Sequence, residues 1–148
     1  MINQFGIHLK VRNFDNSYQF YRRFGFKPVF AYGNISFLSK LEKQIPRVTE
    51  IYNGVTFQIG NALFEIADGH MAVKKKVFKK SINNSKISAM IQVSSLKSVI
   101  NVCNKYNYPI AIPPIAYPWG TQELVIKDPD GFVLVFIEKI KKNQTGKL

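Results

Sequence analysis

Few side chains in this sequence are placed to do acid–base chemistry, and the best candidates lie on two strand-like stretches. The segment GIHLKVR alternates apolar residues with His8, Lys10 and Arg12, which is the two-residue period of a strand with one polar, basic face. The segment ALFEIAD places Glu65 on a second strand. A carboxylate held in a pocket can act as a general base near neutral pH. Glu65 is therefore the candidate catalytic residue, if the protein has one.

The other histidine and the single cysteine are interpreted as structural. His70 follows an Asp-Gly pair at the start of a loop, so we expect it at the surface and not as a metal ligand. Cys103 shares the apolar stripe of a predicted helix with Leu96, and we expect a small buried hydrophobe, not a nucleophile. A lone cysteine excludes an internal disulfide, and the N-terminus shows no signal pattern. Both features predict a cytoplasmic protein.

The net charge of +12 is compatible with nucleic acid, anionic lipid or an acidic ligand as partner. The segment from Gly69 to Lys86 carries six lysines and no acid, which is typical of a solvated loop. The sequence has no nucleic-acid motif and no basic amphipathic helix, so we favour a lysine-rich surface and expect no nucleic acid. No apolar run reaches the length of a membrane span, and no membrane partner is predicted.

The predicted elements repeat in two halves. In the first half a strand is followed by a helix capped by Asn13 or Asp15, with Tyr18, Tyr21 and Phe24 as its apolar stripe. Further strands are predicted over Lys27–Tyr32, Val55–Ile59 and Ala62–Ala67, while Phe37–Asn53 shows no clear period. The second half opens with an alternating strand from Ile87 to Val93. Its helix is capped by Ser94 or Ser95, and a short strand over Tyr108–Ile112 ends at Pro113-Pro114.

The chain closes on a hairpin built around Asp128-Pro129-Asp130-Gly131. The proline sets φ, the first aspartate can bond the backbone beyond it, and the glycine accepts a positive φ. The sequence therefore predicts an α+β fold of two β-α-β-β-β modules, residues 1–68 and 86–140, joined by a basic connector at 69–85. Together they are expected to form one domain, a curved mixed sheet around a central cavity.

Two segments, FDNSYQFYRRFGF after the first strand and the closing WGTQELVIKDPDGFVLVFIE, make the chain resemble the vicinal oxygen chelate superfamily. That superfamily includes glyoxalase I, extradiol dioxygenases, fosfomycin-resistance transferases and bleomycin-resistance proteins. The resemblance extends from Gln4 to Lys139 and implies the two-module fold. Members differ widely in chemistry, so it implies no single activity.

The metal-dependent members place ligands at four positions, and by this resemblance they fall on Gly6, Glu65, Ser88 and Val135. Only Glu65 is a metal-binding residue type. His8 lies two residues beyond the first position and would join it only if the strand were slipped. A divalent catalytic ion normally needs about three protein ligands. No metal and no other cofactor is predicted.

Counting in twos places one set of residues opposite the helix-packing faces, where they line the predicted cavity. Apolar walls with a few convergent polar groups describe a small-molecule site. Alternatively these residues fill the cavity themselves, with Glu65 paired to His8 or Lys10 and Trp119 packed at the rim. The ligand-binding candidates are His8, Lys10, Glu65, Met90, Gln92, Tyr117, Trp119, Glu123 and Val135, with Leu63, Val125 and Val133 beside them.

Three functions are compatible with these features. The first is a metal-free binding protein that sequesters a neutral or anionic aromatic compound. The second is a lyase, isomerase or dioxygenase-type enzyme, either metal-dependent or using Glu65 as base. The third, a nucleic-acid-associated protein, depends on charge alone. A homodimer is also predicted, because half-sheets in the resembled superfamily often close against a second copy, with Phe132–Ile137 near the seam.

Overall fold

The computed structural model describes residues 1–141, and the chain divides into two compact units, one ending at Ser81 and the next beginning at Ile82. The division falls within the predicted connector. Each unit carries its own mixed sheet, with both parallel and antiparallel strand pairs. Within residues 1–141, no helix has the length and apolar character needed to span a membrane.

The first unit contains the predicted strand, helix and three strands, together with three short elements that the sequence did not indicate. The elements are β1 (Phe5–Lys10), α1 (Phe14–Arg23), β2 (Lys27–Gly33), α2 (Ile35–Leu38), β3 (Arg47–Thr49), β4 (Gly54–Ile59), β5 (Ala62–Ala67) and α3 (Lys75–Phe78). The sheet has the order β1-β5-β4-β2-β3, in which β1 pairs with β5, and β2 with β3, in parallel.

Helix α1 begins as predicted, but its buried stripe is different. Asn13 is the N-cap, and its side chain accepts a hydrogen bond from the backbone N of Asn16 at 3.0 Å. The buried residues are Phe14, Ser17, Phe20 and Tyr21, whereas Tyr18 and Phe24 are only partly buried. The stripe is displaced toward Phe14 because that ring packs edge-on against Phe37 of α2, at 4.7 Å between centroids.

The basic segment after β5 is not only a solvated loop. Four of its residues form α3, and Phe78 is 4% exposed, which anchors the segment in the first unit. The lysines around it remain exposed. The buried Phe78 therefore holds this turn of the basic segment against the first unit.

The second unit has the predicted β-α-β-β-β order. Its elements are β6 (Ser88–Val93), α4 (Leu96–Tyr106), β7 (Ile110–Tyr117), β8 (Thr121–Lys127) and β9 (Val133–Lys139), in the sheet order β6-β9-β8-β7. Leu96, Val99 and Cys103 are buried along α4, as predicted. Ser95 is the N-cap residue but makes no side-chain bond; instead Glu138 accepts from the backbone N of Leu96 at 2.7 Å.

The prediction that Pro113-Pro114 ends a strand is wrong. Strand β7 runs through both prolines to Tyr117, with register shifts on either side of Ile112. It lies at the edge of its sheet, where a proline without an N–H loses no ladder bond on its open side. The closing hairpin follows the prediction: Asp128 Oδ1 accepts from the backbone N of Asp130 and of Phe132, and Gly131 has φ +97°.

Candidate functional site

The face of the first sheet opposite α1 brings the predicted residues of this module together. His8 on β1 is the register partner of Glu65 on β5, and Glu65 is in turn opposite Thr56 on β4. Lys10 and Leu63 share this face, two residues away along their strands. The opposite face carries Phe57 and Phe64 and packs against the aromatic side of α1. Strand alternation therefore placed these four residues on the same face as the structure does.

Tyr32, which the sequence did not mark, completes the polar centre of this face. Its hydroxyl donates a hydrogen bond to Glu65 Oε1 at 2.8 Å. Tyr32 is on β2 and Glu65 on β5, so the ring must cross β4, where its register partner is Gly54. A Cβ on Gly54 would lie 2.0 Å from Tyr32 Cζ. Only glycine at this position lets the ring lie against the strand and reach the carboxylate.

Burial shifts the pKa values of His8 and Tyr32. Desolvation lowers the pKa of His8 below its usual 6.5; Glu65 pulls it upward, and Lys10 and His70 lower it further. His8 Nε2 lies 3.9 Å from Glu65 Oε1, which is beyond hydrogen-bond distance. Desolvation and the bond to Glu65 raise the pKa of Tyr32. Near neutral pH the centre therefore consists of a neutral imidazole, a phenol donor and the glutamate it bonds.

These groups form one wall of a pocket of about 520 Å³ within the first unit, which we call the tyrosine pocket. Tyr52 lines the pocket and lies against the backbone of Gly69, where an added Cβ would be 1.9 Å from Tyr52 Cδ1. His70 is exposed, as predicted, yet its ring is 6.2 Å from that of His8, edge-on. The described lining residues are His8, Phe30, Tyr32, Val48, Glu50, Tyr52, Glu65, Gly69, His70 and Met71.

Hydrogen bonds hold the loop that carries Tyr52 against the end of β5. Asp68 Oδ1 accepts from the backbone N of Asn53 at 2.9 Å, and the backbone N of Asp68 donates to the Asn53 carbonyl at 3.0 Å. Asn53 Oδ1 accepts in turn from the backbone N of Asn34 at 3.1 Å. Burial raises the pKa of Asp68, and the bonds from Asn53 oppose that change. The pocket wall is thus tied to the sheet by paired polar groups.

Sequence reasoning found His8 and Glu65 but missed most of the lining. Lys10, predicted to face the cavity, is not among the described residues that line this pocket. Tyr32 was visible as the last residue of a predicted strand, and strand period two would have placed it on the correct face. Glu50, Tyr52 and Met71 lie in irregular segments, where no periodicity marks them.

The predicted residues of the second module lie on one face of its own sheet. Met90 on β6 is paired with Val135 on β9, which is paired with Val125 on β8, while Gln92 and Glu123 are both opposite Ile137. These residues lie on the exposed face of the second sheet, and the other, buried face packs against α4. Met90 is 76% exposed. That these residues share a cavity with His8 and Glu65 stays a prediction.

Tyr117 and Trp119 lie together at the β7–β8 turn. Their rings stack with centroids 4.6 Å apart and planes 10° from parallel. Trp119 Nε1 donates to Glu123 Oε1 at 3.3 Å, and the Thr121 hydroxyl donates to the same oxygen at 2.8 Å. The carboxylate of Glu123 is therefore engaged within its own hairpin.

The residues at the four resembled ligand positions do not fit a catalytic metal. Gly6, Ser88 and Val135 offer no carboxylate, imidazole or thiolate, which leaves Glu65 alone. In residues 1–141 no group of three or more His, Cys, Asp or Glu side chains is arranged to hold a metal ion.

Comparison with solved structures shows the same fold in proteins of low identity. A member of the glyoxalase/bleomycin resistance protein/dioxygenase superfamily from Sphaerobacter thermophilus DSM 20745 is 18% identical. Its TM-score is 0.61 over 94% of this chain and 98% of that one. A fosfomycin resistance protein FosX from Listeria monocytogenes, in complex with Mn(II) and 1S,2S-dihydroxypropylphosphonic acid, is 14% identical, with TM-score 0.60 over 92% of each chain. The bleomycin resistance determinant encoded on transposon Tn5 is 20% identical, with TM-score 0.56 over 93% of this chain and 98% of that one.

No curated protein matches the sequence. A family model described as the glyoxalase/bleomycin resistance protein/dioxygenase superfamily matches residues 2–136, which is most of the chain. The two β-α-β-β-β modules agree with that match. The chain therefore belongs to the glyoxalase/bleomycin resistance protein/dioxygenase superfamily.

Proposed function

We propose that this protein is a cytoplasmic small-molecule-binding protein that works without a metal and holds an aromatic group in the tyrosine pocket. The observation that carries the proposal is the pocket itself. About 520 Å³ is enough for a small organic ligand, and the lining combines aromatic and apolar walls with a few polar groups. The donor set at the ligand positions supports a metal-free role, since three of those four residues cannot bind a metal through a strong side-chain donor.

The charge of the lining decides which aromatic group suits this pocket. From the sequence a neutral or anionic ligand was expected, because Lys10 was expected in the cavity. The described lining contains Glu50 and Glu65 and no lysine or arginine. The charges that line the pocket act at shorter range than most of the net charge of +12, because the Debye length is only about 8 Å at physiological salt. For the part that enters this pocket we therefore propose a neutral or cationic aromatic group.

Calorimetric titration with benzamidine, benzamide and benzoate tests this proposal, because the three probes share a ring and differ in charge. We expect benzamidine and benzamide to bind about tenfold more tightly than benzoate. Glu65→Gln should remove most of that difference, while Glu123→Gln, a matched change outside the tyrosine pocket, should leave it. Binding of benzoate alone would contradict the proposed charge, and binding of none of the three would contradict the proposed function.

Elemental analysis of the purified protein tests the metal-free part. We expect no stoichiometric Zn, Ni, Mn or Fe. About one transition-metal ion per chain, lost in Glu65→Ala and kept in Glu123→Ala, would show that Glu65 is a ligand after all.

A second candidate function is a metal-free enzyme in which Glu65 removes a proton from a carbon acid. One observation favours it: Tyr32 and His8 both approach Oε1, so Oε2 is the oxygen left for a substrate among the described contacts. Phenylacetone, a neutral aromatic carbon acid, provides the test. Deuterium exchange into it at a rate above buffer, abolished by Glu65→Gln without loss of binding, would favour the enzyme over the binding protein.

A further inference from the structure

A second cavity, of about 360 Å³, adjoins the tyrosine pocket within the first unit. The two share a wall, since Tyr52, Gly69 and His70 line both. We call the second one the lysine cavity. Its described lining residues are Arg12, Ile51, Tyr52, Asp68, Gly69, His70, Val73, Lys75, Phe78 and Lys79.

The lysine cavity has the opposite charge to its neighbour. Its lining carries three cationic side chains, Arg12, Lys75 and Lys79, and one acid, Asp68. Oδ1 of Asp68 accepts the backbone N–H of Asn53 at 2.9 Å, which orients this carboxylate without cancelling its charge, so the cations outnumber the acid by three to one. The tyrosine pocket has two glutamates and no such cation among its described residues. Tyr52, Gly69 and His70 thus lie between an acidic, aromatic pocket and a basic one.

The basic segment at 69–85 contributes two of these cations, Lys75 and Lys79. Lys75 and Lys79 are four residues apart across α3, so they lie on the same side of that turn. Phe78 between them is 4% exposed and lines the same cavity, which fixes the turn against the first unit. Lys74 and Lys76 belong to the same turn but are not among the lining residues. The segment therefore places Lys75 and Lys79 at the cavity, while Lys74 and Lys76 lie outside its lining.

We propose that the lysine cavity is a subsite for an oxyanion, a phosphate or carboxylate, carried by the same small molecule whose aromatic part occupies the tyrosine pocket. The proposal rests on the proposed function for that aromatic part. Oxyanions form charge-assisted hydrogen bonds with lysine and arginine that are stronger than neutral ones. An anion attached directly to the ring would meet Glu65, whereas an anion on a short tail that extends past the exposed His70, which lines both cavities, would meet the lysines. The ligand class is an aromatic compound with an acidic tail.

Calorimetry with phenylpropanol, phenylpropyl phosphate and phenylbutyrate tests whether an anionic tail raises the affinity. Inorganic phosphate is the fourth probe. For the wild-type protein at low salt we expect the two tailed anions to bind about tenfold more tightly than the alcohol. In Lys75→Ala/Lys79→Ala that advantage should fall below about twofold, and in the control pair Lys74→Ala/Lys76→Ala it should persist. The two double variants have the same net charge, so a difference between them reports position and not overall charge.

The outcomes separate this inference from the proposed function. If the alcohol binds but the anionic tails add nothing, or if both double variants lose the advantage equally, the subsite is wrong and the proposed function stands. If no aromatic probe binds, the proposed function fails, and inorganic phosphate decides the subsite alone. Phosphate binding lost only in Lys75→Ala/Lys79→Ala would support the anion site, and absence of phosphate binding would overturn it.

Discussion

Replacing Gly54 by alanine should displace Tyr32 from Glu65 although neither of these two residues is mutated. The added Cβ would lie 2.0 Å from Tyr32 Cζ and 2.4 Å from its hydroxyl oxygen, distances that no real contact shows. The obstacle is a side chain, so the ring moves and the strand stays. The hydrogen bond to Glu65 and the packing of the ring across β4 are lost together.

The expected cost follows from three contributions. A hydrogen bond to a charged acceptor contributes about 1.5–3 kcal/mol, and the low end applies because the Glu65 side chain is 30% exposed. Moving the half-buried ring out of its site costs about 1 kcal/mol. Alanine recovers about 0.5–1 kcal/mol of backbone entropy relative to glycine. The free energy of unfolding should fall by about 2 kcal/mol, or about 4–8 °C in Tm for a chain of this size.

A double-mutant cycle shows whether the ring is the cause. Unfolding is followed by calorimetry for wild type, Gly54→Ala, Tyr32→Ala and the double variant. With the ring gone, Gly54→Ala should be neutral or slightly stabilising, so the coupling energy should be near 2 kcal/mol. If Gly54→Ala costs the same with and without the ring, the proposed reason for the glycine is refuted. Tyr32→Phe, which keeps the ring and removes the hydroxyl, separates the hydrogen bond from the packing.

Three further results are expected. Because the folded state lowers the pKa of His8, the unfolded chain binds its proton more readily, so this residue should cost stability as pH falls below about 6.5. An NMR titration of His8 with a midpoint at or above 6.5 would contradict that sign, and His8→Gln should lessen the acid sensitivity. Burial raises the pKa of the Cys103 thiol, so it should react with a thiol reagent only after denaturation; rapid reaction of the native protein would count against its assignment as a core residue. We also expect sedimentation to show a homodimer. Strand β9 is hydrogen-bonded on both sides and has no free edge, so the dimer contact should use an exposed sheet face. A monomer across the micromolar range would contradict this prediction.

Local patterns in the sequence were sufficient for most of the fold. The period of two in GIHLKVR and ALFEIAD predicted both strands and placed His8 and Glu65 on the cavity-facing side, and the register of β1 and β5 makes them neighbours. The turn chemistry of the closing hairpin was also readable, because the aspartate, proline and glycine act within four residues of one another. Each of these signals depends only on neighbouring residues.

The features that the sequence did not predict depend on residues that are distant along the chain. Pro113-Pro114 reads as a break, and only the sheet order shows that β7 is an edge where prolines are tolerated. Tyr32 becomes a site residue because its strand pairs with Gly54, more than twenty residues later along the chain. Tyr52 and His70 face the same pocket from irregular loops, for which sequence offers no period at all. Such placements follow from tertiary pairing, not from propensity.

The partners of Glu65 connect the altered ligand positions to the composition of the pocket. In the metal-dependent members that the sequence resembles, this position meets a cation, and here Gly6, Ser88 and Val135 cannot help to bind one. A carboxylate with most of its surface removed from water still needs a partner. Tyr32 supplies a neutral donor at 2.8 Å, and Gly54 provides the space that lets the ring reach it. The hydrogen bond thereby orients the Glu65 carboxylate without a metal ion. Together with Glu50, this carboxylate supports the proposed neutral or cationic aromatic group and an anionic tail that extends toward the lysines of the neighbouring cavity.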